Sequence, residues 1–252
     1  FAIRIAGLGR ASFEDTQVLL ACGIDDPHFH YHMTQTAPKE INTCLERLGR
    51  LVEQVVYKMP DARVSLAVMD MGRTAPATLD LCIQKLSGCH ALSILSLPDT
   101  SGVMAPNQVR DRISALARRA GRLDLAVHCH NDMGLATANT LTGVLAGAKI
   151  FEASALGIGE RNGIADLYTT AKLLAAQGIE TGLDLNNFEG FKAYYEYVAT
   201  IVKEQTGITL MDYCMPVFGD AVNTHVAGTH SQGQFGTGQA EEFFLNLLCG
   251  KG

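Results

Sequence analysis

The histidines are the residues whose spacing most directly suggests chemistry. Seven of the eight fall into three groups, His28/His30/His32, His128/His130 and His225/His230. The histidines of the second group are two residues apart at the end of a predicted strand, so their side chains project from the same face. Two imidazoles so placed could share one metal ion, or they could be polar side chains satisfied by hydrogen bonds at a loop mouth.

The other two groups have different settings. The histidines of the first alternate along a predicted strand near His28–Met33 and therefore share a face. That face could supplement a metal site or bind an anionic substrate, or it could belong to a polar-lined strand. His225 and His230 lie in a Gly-rich segment that offers few apolar side chains for them to pack against. Loop histidines of this kind more often act on substrates or partners than pack in a core.

Two further segments place polar groups directly after predicted strands. Leu97–Gly102 (LPDTSG) supplies a carboxylate and a hydroxyl, and Gly157–Gly163 (GIGERNG) supplies an acid, a guanidinium and an amide between flexible glycines. The second segment lacks the third glycine and the following acidic residue of a dinucleotide-binding fingerprint. A Walker loop is absent as well, so the sequence does not favour nucleotide binding.

The elements that must position these groups alternate between short apolar runs and longer segments of helical period. Strands are predicted near Ala2–Ala6, His28–Met33, Val64–Met69, Leu92–Leu97, Leu125–Cys129 and Ile150–Ala153. Helices are predicted near Phe13–Cys22, Lys39–Lys58, Pro76–Leu86, Asn107–Ala120, Ala136–Ala146 and Asp166–Gln177. This alternation predicts βαβ units and a parallel sheet.

In a (β/α)8 barrel the C-terminal strand ends carry the active site, and the His128/His130 pair lies at such an end.

The pattern changes after about Gly178, where a long helix is predicted near Asn187–Thr206, followed by a Gly-rich stretch and a short helix near Ala240–Leu248.

The composition fits a folded protein, because 47% hydrophobic residues and a mean hydropathy of +0.11 can bury a sizeable core. The net charge of -6, without a basic cluster, argues against nucleic-acid binding. No apolar run or leader pattern indicates a membrane protein, so the cytoplasm is the expected location.

Taken in order, these segments resemble the homocitrate synthase and isopropylmalate synthase family of the DRE-TIM metallolyase superfamily. Its members are metal-dependent (β/α)8 TIM barrel enzymes that condense acetyl-CoA with a 2-oxo acid. The shared motifs are HCHND at His128–Asp132, GIGER at Gly157–Arg161 and HxxGxH at His225–His230. The form GERNGI, with Asn162 and Ile164, is closer to homocitrate synthases, since isopropylmalate synthases usually carry GERAGN.

The resemblance implies an α/β fold that is an incomplete TIM barrel of six βα units, matching the family's strands 3 to 8, over residues 1–180. A C-terminal helical linker and HxxGxH subdomain would occupy residues 181–252. The resemblance also implies a divalent metal ion, which could be Mg, Mn, Zn or Fe, with acetyl-CoA as co-substrate. A homodimer is implied too, or a pairing with a chain that supplies the missing N-terminal strands.

Several site residues follow from the resemblance. His128 and His130 would be metal ligands, and Thr100 would hold the substrate's carboxylate. The remaining assignments are catalytic roles for Glu160, His225 and His230, and substrate binding by Arg73, Asn162 and His28. In the implied reaction the cation polarises the keto group, a base removes a proton from the acetyl-CoA methyl group, and water cleaves the thioester after the enolate has attacked.

The sequence departs from the family at three places. Nothing matches the first-strand Asp-Arg-Glu motif, whose aspartate completes the metal site and whose arginine stabilises the enolate; Phe1–Arg10 instead resembles the third strand. Met69 stands where a glutamate usually precedes Asp70, although Arg73 keeps its place. Ser65 stands where lysine-pathway homocitrate synthases have an arginine.

Three hypotheses agree with this pattern. The chain could be a fragment, or one subunit of a split enzyme that uses 2-oxoglutarate. It could be a divergent isopropylmalate- or citramalate-type synthase that uses pyruvate, 2-oxoisovalerate or another acidic keto acid. It could also be a non-catalytic relative with a binding or regulatory role, which Met69 favours, whereas the retained His128, His130 and Glu160 favour catalysis.

Overall fold

One sheet of six parallel strands, in the order β1-β2-β3-β4-β5-β6, forms the centre of the first of two compact units, Phe1–Asp166. The structure is a computed structural model that describes residues 3–219 and 221. The strands are β1 (Ala6–Arg10), β2 (Asp26–Tyr31), β3 (Val64–Val68), β4 (Leu92–Asp99), β5 (Asp124–Cys129) and β6 (Ile150–Glu152). The helices between them are α1 (Phe13–Ala21), α2 (Ile41–Lys58), α3 (Pro76–Leu86), α4 (Pro106–Ala117) and α5 (Ala136–Leu145).

Each strand pairs with the next strand in sequence, and every pairing is parallel. Among the described residues no pairing joins β6 back to β1, so the sheet is open at both edges. An open parallel sheet with a helix after each strand is an incomplete α/β barrel, which confirms the predicted fold class.

The two faces of the sheet differ in polarity because side chains alternate along each strand. One face packs against the helices and forms the apolar core. Buried members of that core include Phe29, Leu66, Leu95, Leu97 and Val127. The other face carries polar side chains at the alternate positions, including His28, Ser65, Ser96, His128 and Glu152.

Helix α2 shows how the helices cover the core face. Its buried positions follow the spacing of one helical face, so that the apolar side lies on the sheet and the charged side faces solvent. These positions are Ile41, Cys44, Leu45, Leu48, Val52 and Val55. Helices α3 and α4 each begin with a proline, Pro76 and Pro106, whose missing N–H would have had no partner within the helix.

The predicted position of the first strand is wrong. The sequence predicted a strand near Ala2–Ala6, whereas β1 runs from Ala6 to Arg10 and pairs with Asp26–His30. The strand includes Gly7 and Gly9. They lie inside it because α1 packs against them, and a Cβ on either glycine would come within 2.9 Å of the Leu19 side chain.

The second strand is also shifted, since it covers Asp26–Tyr31 rather than His28–Met33. His28 and His30 therefore alternate on β2 as predicted. His32 lies beyond the strand, at the start of a 3-10 turn over Met33–Gln35. The predicted face shared by three histidines is thus reduced to two.

The core makes a first prediction about stability. Leu95 is fully buried in the central strand β4, and its replacement by alanine would leave a cavity that the neighbouring strands cannot fill. We expect Leu95→Ala to lower the free energy of unfolding by about 2–5 kcal/mol, measured by urea denaturation. Leu145→Ala is the matched control, because Leu145 is 53% exposed. Equal losses in the two variants would contradict this description of the core.

The second compact unit, Leu167–Gly252, contains α6 (Leu167–Ala175) and α7 (Phe188–Thr206). The side chain of Asn187 caps the start of α7 by accepting a hydrogen bond from the Gly190 N–H at 3.0 Å. Tyr195 is fully buried, and its hydroxyl accepts a hydrogen bond from the Tyr168 N–H at 2.9 Å. The long helix predicted near Asn187–Thr206 is therefore confirmed.

Other sequence predictions for this region stay predictions. The helix near Ala240–Leu248 lies outside the described residues, as do His225 and His230. The division into domains at residues 1–180 and 181–252 also stays a prediction. Along residues 3–219 and 221, none of the helices combines the length and the apolar character that crossing a bilayer requires.

Candidate active site

Two histidines converge at the C-terminal end of β5. His128 is the next-to-last residue of the strand, and His130 is the first residue after the strand. Their Nε2 atoms are 3.3 Å apart. The His130 backbone is fixed on both sides, because its N–H donates to the Asp99 carbonyl at 3.4 Å and it forms a bridge with Ile164. The structure therefore brings the predicted ligand pair together.

A carboxylate from the neighbouring strand orients His128. Glu152 of β6 is the register partner of His128, and its Oε2 lies 2.9 Å from His128 Nδ1. Its other oxygen accepts a hydrogen bond from the Ser96 hydroxyl at 2.7 Å. If Nδ1 carries the proton toward the carboxylate, the lone pair of Nε2 is left on the side of His130. The tautomer is assigned from this hydrogen bond.

Neither Glu152 nor Ser96 was predicted from the sequence as part of the site. Glu152 is the single charged residue in the predicted strand Ile150–Ala153, and a charged residue in a short, otherwise apolar strand was the signal that could have identified it. Its partner His128 is remote in sequence, so the pair becomes visible only when the register of β5 and β6 is known.

The spacing of the two histidines fits one metal ion. Two nitrogens bound to a tetrahedral ion at about 2.0–2.1 Å are roughly 3.3 Å from each other, which is the separation of the two Nε2 atoms. Within residues 3–219 and 221, no group of three or more His, Cys, Asp or Glu side chains could hold a metal ion. A metal ion held by this pair would therefore need further ligands from outside the described residues.

The pKa values of His130 and Glu152 favour binding of a metal ion. Burial, followed by the positive charges of His128 and Arg161, lowers the pKa of His130, so its neutral form persists to lower pH than that of an ordinary histidine. Burial would raise the pKa of Glu152, but the hydrogen bonds from His128 and Ser96 outweigh it and leave this pKa below its usual value. A histidine binds a metal ion in its neutral form, so the lowered pKa of His130 favours this role.

The predicted substrate residue His28 lies on the same polar face of the sheet. Its Nδ1 is 2.6 Å from the Ser65 hydroxyl of the adjacent strand. Burial lowers the pKa of His28, although the charge of Glu152 opposes this effect. Ser65, the position at which lysine-pathway homocitrate synthases have an arginine, is therefore the direct partner of His28.

Thr100 and Arg73 meet at a third residue, Asp70. The Asp70 N–H donates to Thr100 Oγ1 at 2.8 Å, and Arg73 Nε donates to Asp70 Oδ2 at 2.5 Å. Ser101 Oγ donates to the other carboxylate oxygen at 3.0 Å. Asp70 is buried and has a positive φ of 65°, an uncommon conformation for a residue with a side chain. The structure thus links two predicted substrate-binding residues through a strained aspartate.

Glu160 and Asn162 lie in the loop after β6, next to the segment that follows β5. The Asn162 amide is 3.5 Å from the Asp132 carbonyl oxygen. The Glu160 side chain is 84% exposed, with Oε2 3.9 Å from Arg161 Nη1. Within the described residues no hydrogen bond joins Glu160 to either histidine. Its catalytic role stays a prediction, as do the roles of His225 and His230.

Comparison with curated proteins places these motifs among synthases. The chain is 37% identical over 186 residues to a probable 2-isopropylmalate synthase of Methanosarcina acetivorans, covering 72% of this chain and 34% of the relative. It is 30% identical over 234 residues to a homocitrate synthase of Saccharolobus islandicus, covering 92% and 47%. It is 35% identical over 178 residues to the 2-phosphonomethylmalate synthase of Streptomyces rubellomurinus, covering 69% and 44%. The chain spans less than half the length of these three relatives.

Solved structures share the fold. The HMG-CoA lyase of Brucella melitensis matches with a TM-score of 0.62 at 20% identity, covering 78% of this chain and 74% of that protein. The hydroxymethylglutaryl-CoA lyase of Pseudomonas aeruginosa matches with a TM-score of 0.64 at 20% identity, covering 82% and 73%. The HMGL-like family model matches residues 2–193, which is more than half of the chain. The chain therefore belongs to the HMGL-like family, and the predicted resemblance to homocitrate and isopropylmalate synthases is confirmed.

Proposed function

We propose that this chain forms the metal-binding part of an enzyme that condenses acetyl-CoA with a 2-oxo acid. The observation that carries the proposal is the convergence of His128 Nε2 and His130 Nε2 at 3.3 Å, with the Glu152 carboxylate behind His128. The names of the three curated relatives support this class of reaction, because each is a synthase of a substituted malate or of homocitrate.

Different described residues are assigned to the metal ion and to the anionic groups of the substrate. His128 and His130 would hold a divalent cation, which could be Mg, Mn, Zn or Fe, and the cation would polarise the keto oxygen of the 2-oxo acid. Thr100 Oγ1 accepts from the Asp70 N–H, so its own O–H is left to donate to the substrate's carboxylate. Arg73 uses Nε for Asp70, and its terminal nitrogens make no other hydrogen bond within the described residues, which suits them to an anionic group.

The remaining steps are removal of a proton, formation of the carbon–carbon bond and cleavage of the thioester. A base must remove a proton from the acetyl-CoA methyl group, and the resulting enolate attacks the polarised carbonyl carbon. Water then cleaves the thioester and releases the thiol of coenzyme A. We assign the proton transfer to His225 or His230 of a second subunit in a homodimer. Glu160 and Asn162 cover the site from the loop after β6.

The active form requires two further βα units between β6 and β1. Ile5, just before the edge strand β1, and Leu8, within it, are 63% and 67% exposed, which suits an edge that another strand covers. The same units would complete the metal shell, for which the described residues supply two ligands. We propose that the units come from a longer precursor or from a partner chain.

The proposed substrate is 2-oxoglutarate, with homocitrate as product, because GERNGI is closer to homocitrate synthases. Isopropylmalate- or citramalate-type condensation is the alternative. Ser65 favours that alternative, since it occupies the place of the arginine found in lysine-pathway enzymes.

The test uses the barrel-complete protein, by which we mean this chain together with the longer precursor or partner chain that supplies the two further βα units. Release of the coenzyme A thiol is measured with acetyl-CoA and, in turn, 2-oxoglutarate, pyruvate and 2-oxoisovalerate. We expect one 2-oxo acid to support release, a chelator to abolish it, and one of Mg, Mn, Zn or Fe to restore it. Background release with every acid and every metal would contradict the proposal. It would favour a non-catalytic relative, the hypothesis to which Met69 points.

A further inference from the structure

One guanidinium group connects three consecutive loops at the C-terminal ends of the strands. Arg161, in the loop after β6, donates from Nε and Nη2 to the two carboxylate oxygens of Asp132 at 2.7 and 2.8 Å. Asp132 belongs to the segment after β5. Nη2 also donates to the Thr100 carbonyl, after β4, at 2.6 Å. The contact is partly shielded, because the Arg161 and Asp132 side chains are 43% and 21% exposed.

The backbone around this contact is adapted to it. Gly102 has a φ of +63°, and a Cβ at this position would overlap Asp132 Oδ2. The loop after β4 can therefore approach Asp132 only with glycine at position 102. The Asn131 N–H donates to the Gly163 carbonyl at 2.9 Å and gives the segment after β5 a second link to the loop after β6. Arg161 itself has a positive φ of 57°.

Each loop held by Arg161 carries a residue of the proposed site. Thr100 is in the first, His130 is two residues before Asp132 in the second, and Glu160 and Asn162 flank Arg161 in the third. The planar fork of arginine binds both oxygens of a carboxylate and fixes their direction, which the ammonium group of lysine cannot do. A change of this one side chain would therefore remove a contact that all three loops share.

We propose that Arg161 is a positioning residue that, through Asp132 and the Thr100 carbonyl, holds the metal-binding histidine and the carboxylate-binding threonine in their relative places. It contacts neither histidine ring by a hydrogen bond within the described residues. The inference rests on the proposed function, because it assumes that His128 and His130 bind the metal.

The test is a double-mutant cycle on the affinity for Mn²⁺ alone, measured by titration of the metal-stripped, barrel-complete protein. We expect Arg161→Lys and Asp132→Asn each to weaken Mn²⁺ binding by about 10-fold or more, the range found for outer partners of metal ligands. The double variant should bind no more weakly than either single variant, since the two residues act as one contact.

The control is the exposed pair Arg110–Asp111 on α4, whose Nη2 and Oδ1 atoms are 2.9 Å apart. Arg110→Lys and Asp111→Asn should leave Mn²⁺ affinity unchanged. Urea unfolding of each variant separates positioning from stability, because positioning predicts a lower affinity at an unchanged free energy of unfolding. If Arg161→Lys folds poorly, Asp132→Asn alone decides the matter, since it preserves the shape of the side chain.

The outcomes separate this inference from the proposed function. Unchanged affinity in Arg161→Lys and Asp132→Asn, or additive losses in the double variant, would overturn the positioning role. If the metal-stripped wild-type protein does not bind Mn²⁺, or if His128→Ala binds it as tightly as the wild type, the proposed metal site itself fails.

Discussion

Replacing His128 by alanine is expected to weaken binding of the divalent metal by about 100-fold or more and to reduce condensation to background. The imidazole supplies one of two ligands in the described site, and losing a ligand must cost more than the roughly 10–100-fold that follows loss of its outer partner. Its loss also leaves Glu152 Oε2 without the hydrogen bond from Nδ1, so that only the bond from Ser96 to the other oxygen remains. The measurement is metal content per chain after dialysis, followed by titration with Mn²⁺ or Zn²⁺.

His90→Ala is the matched control for this prediction. His90 is the histidine that belongs to none of the three groups, and it is exposed in the turn before β4. It should retain metal at the wild-type level. Equal retention in His128→Ala and His90→Ala would show that the pair at the end of β5 is structural.

Replacing Glu152 by leucine should weaken metal binding by about 10–100-fold without removing any ligand. Two effects combine: the Nδ1 proton of His128 loses its acceptor, and the negative charge that makes the imidazole a better ligand disappears. Glu152→Gln should have the smaller effect, because its amide oxygen can still accept the hydrogen bond from Nδ1. Ser96→Ala should lie between the wild type and Glu152→Gln, since it removes only the support of the other oxygen.

A direct observation separates these causes. In ¹⁵N spectra of the metal-stripped protein, the wild type should show His128 protonated on Nδ1, and Glu152→Leu should show a mixture of tautomers. Ser87→Ala is the control for Ser96→Ala, because the Ser87 hydroxyl lies at the end of α3 and, within residues 3–219 and 221, donates only to the Gln84 carbonyl. Wild-type metal affinity in Glu152→Leu would contradict the orienting role of the carboxylate.

The sequence predicted the fold well because its information is local. Runs of apolar residues separated by amphipathic segments such as α2 define strands and helices wherever they occur. The first strand was misplaced, and its observed position includes Gly7 and Gly9, a residue type that usually weakens a strand. Here they allow close packing of Leu19, a contact that depends on how α1 returns to the sheet.

The candidate site was predicted only in part for the same physical reason. The HxH spacing of His128 and His130 is local, so the shared face could be derived from the two-residue period of a strand. The contacts of Glu152 with Ser96 and of Arg161 with Asp132 join different βα units. Such contacts depend on sheet register and on loop conformation, neither of which a short pattern of residues specifies.

The central claim is that a carbon–carbon bond forms at the strand ends that carry His128 and His130. It is tested most directly by incubating the barrel-complete protein with metal, an unlabelled 2-oxo acid and acetyl-CoA labelled with carbon-13 in both acetyl carbons. We expect a hydroxy acid that contains both labelled carbons, formed by the wild type and absent with His128→Ala; from 2-oxoglutarate this product is the hydroxy triacid homocitrate. Label found only in free acetate would mean that the thioester is merely hydrolysed, and it would contradict the account.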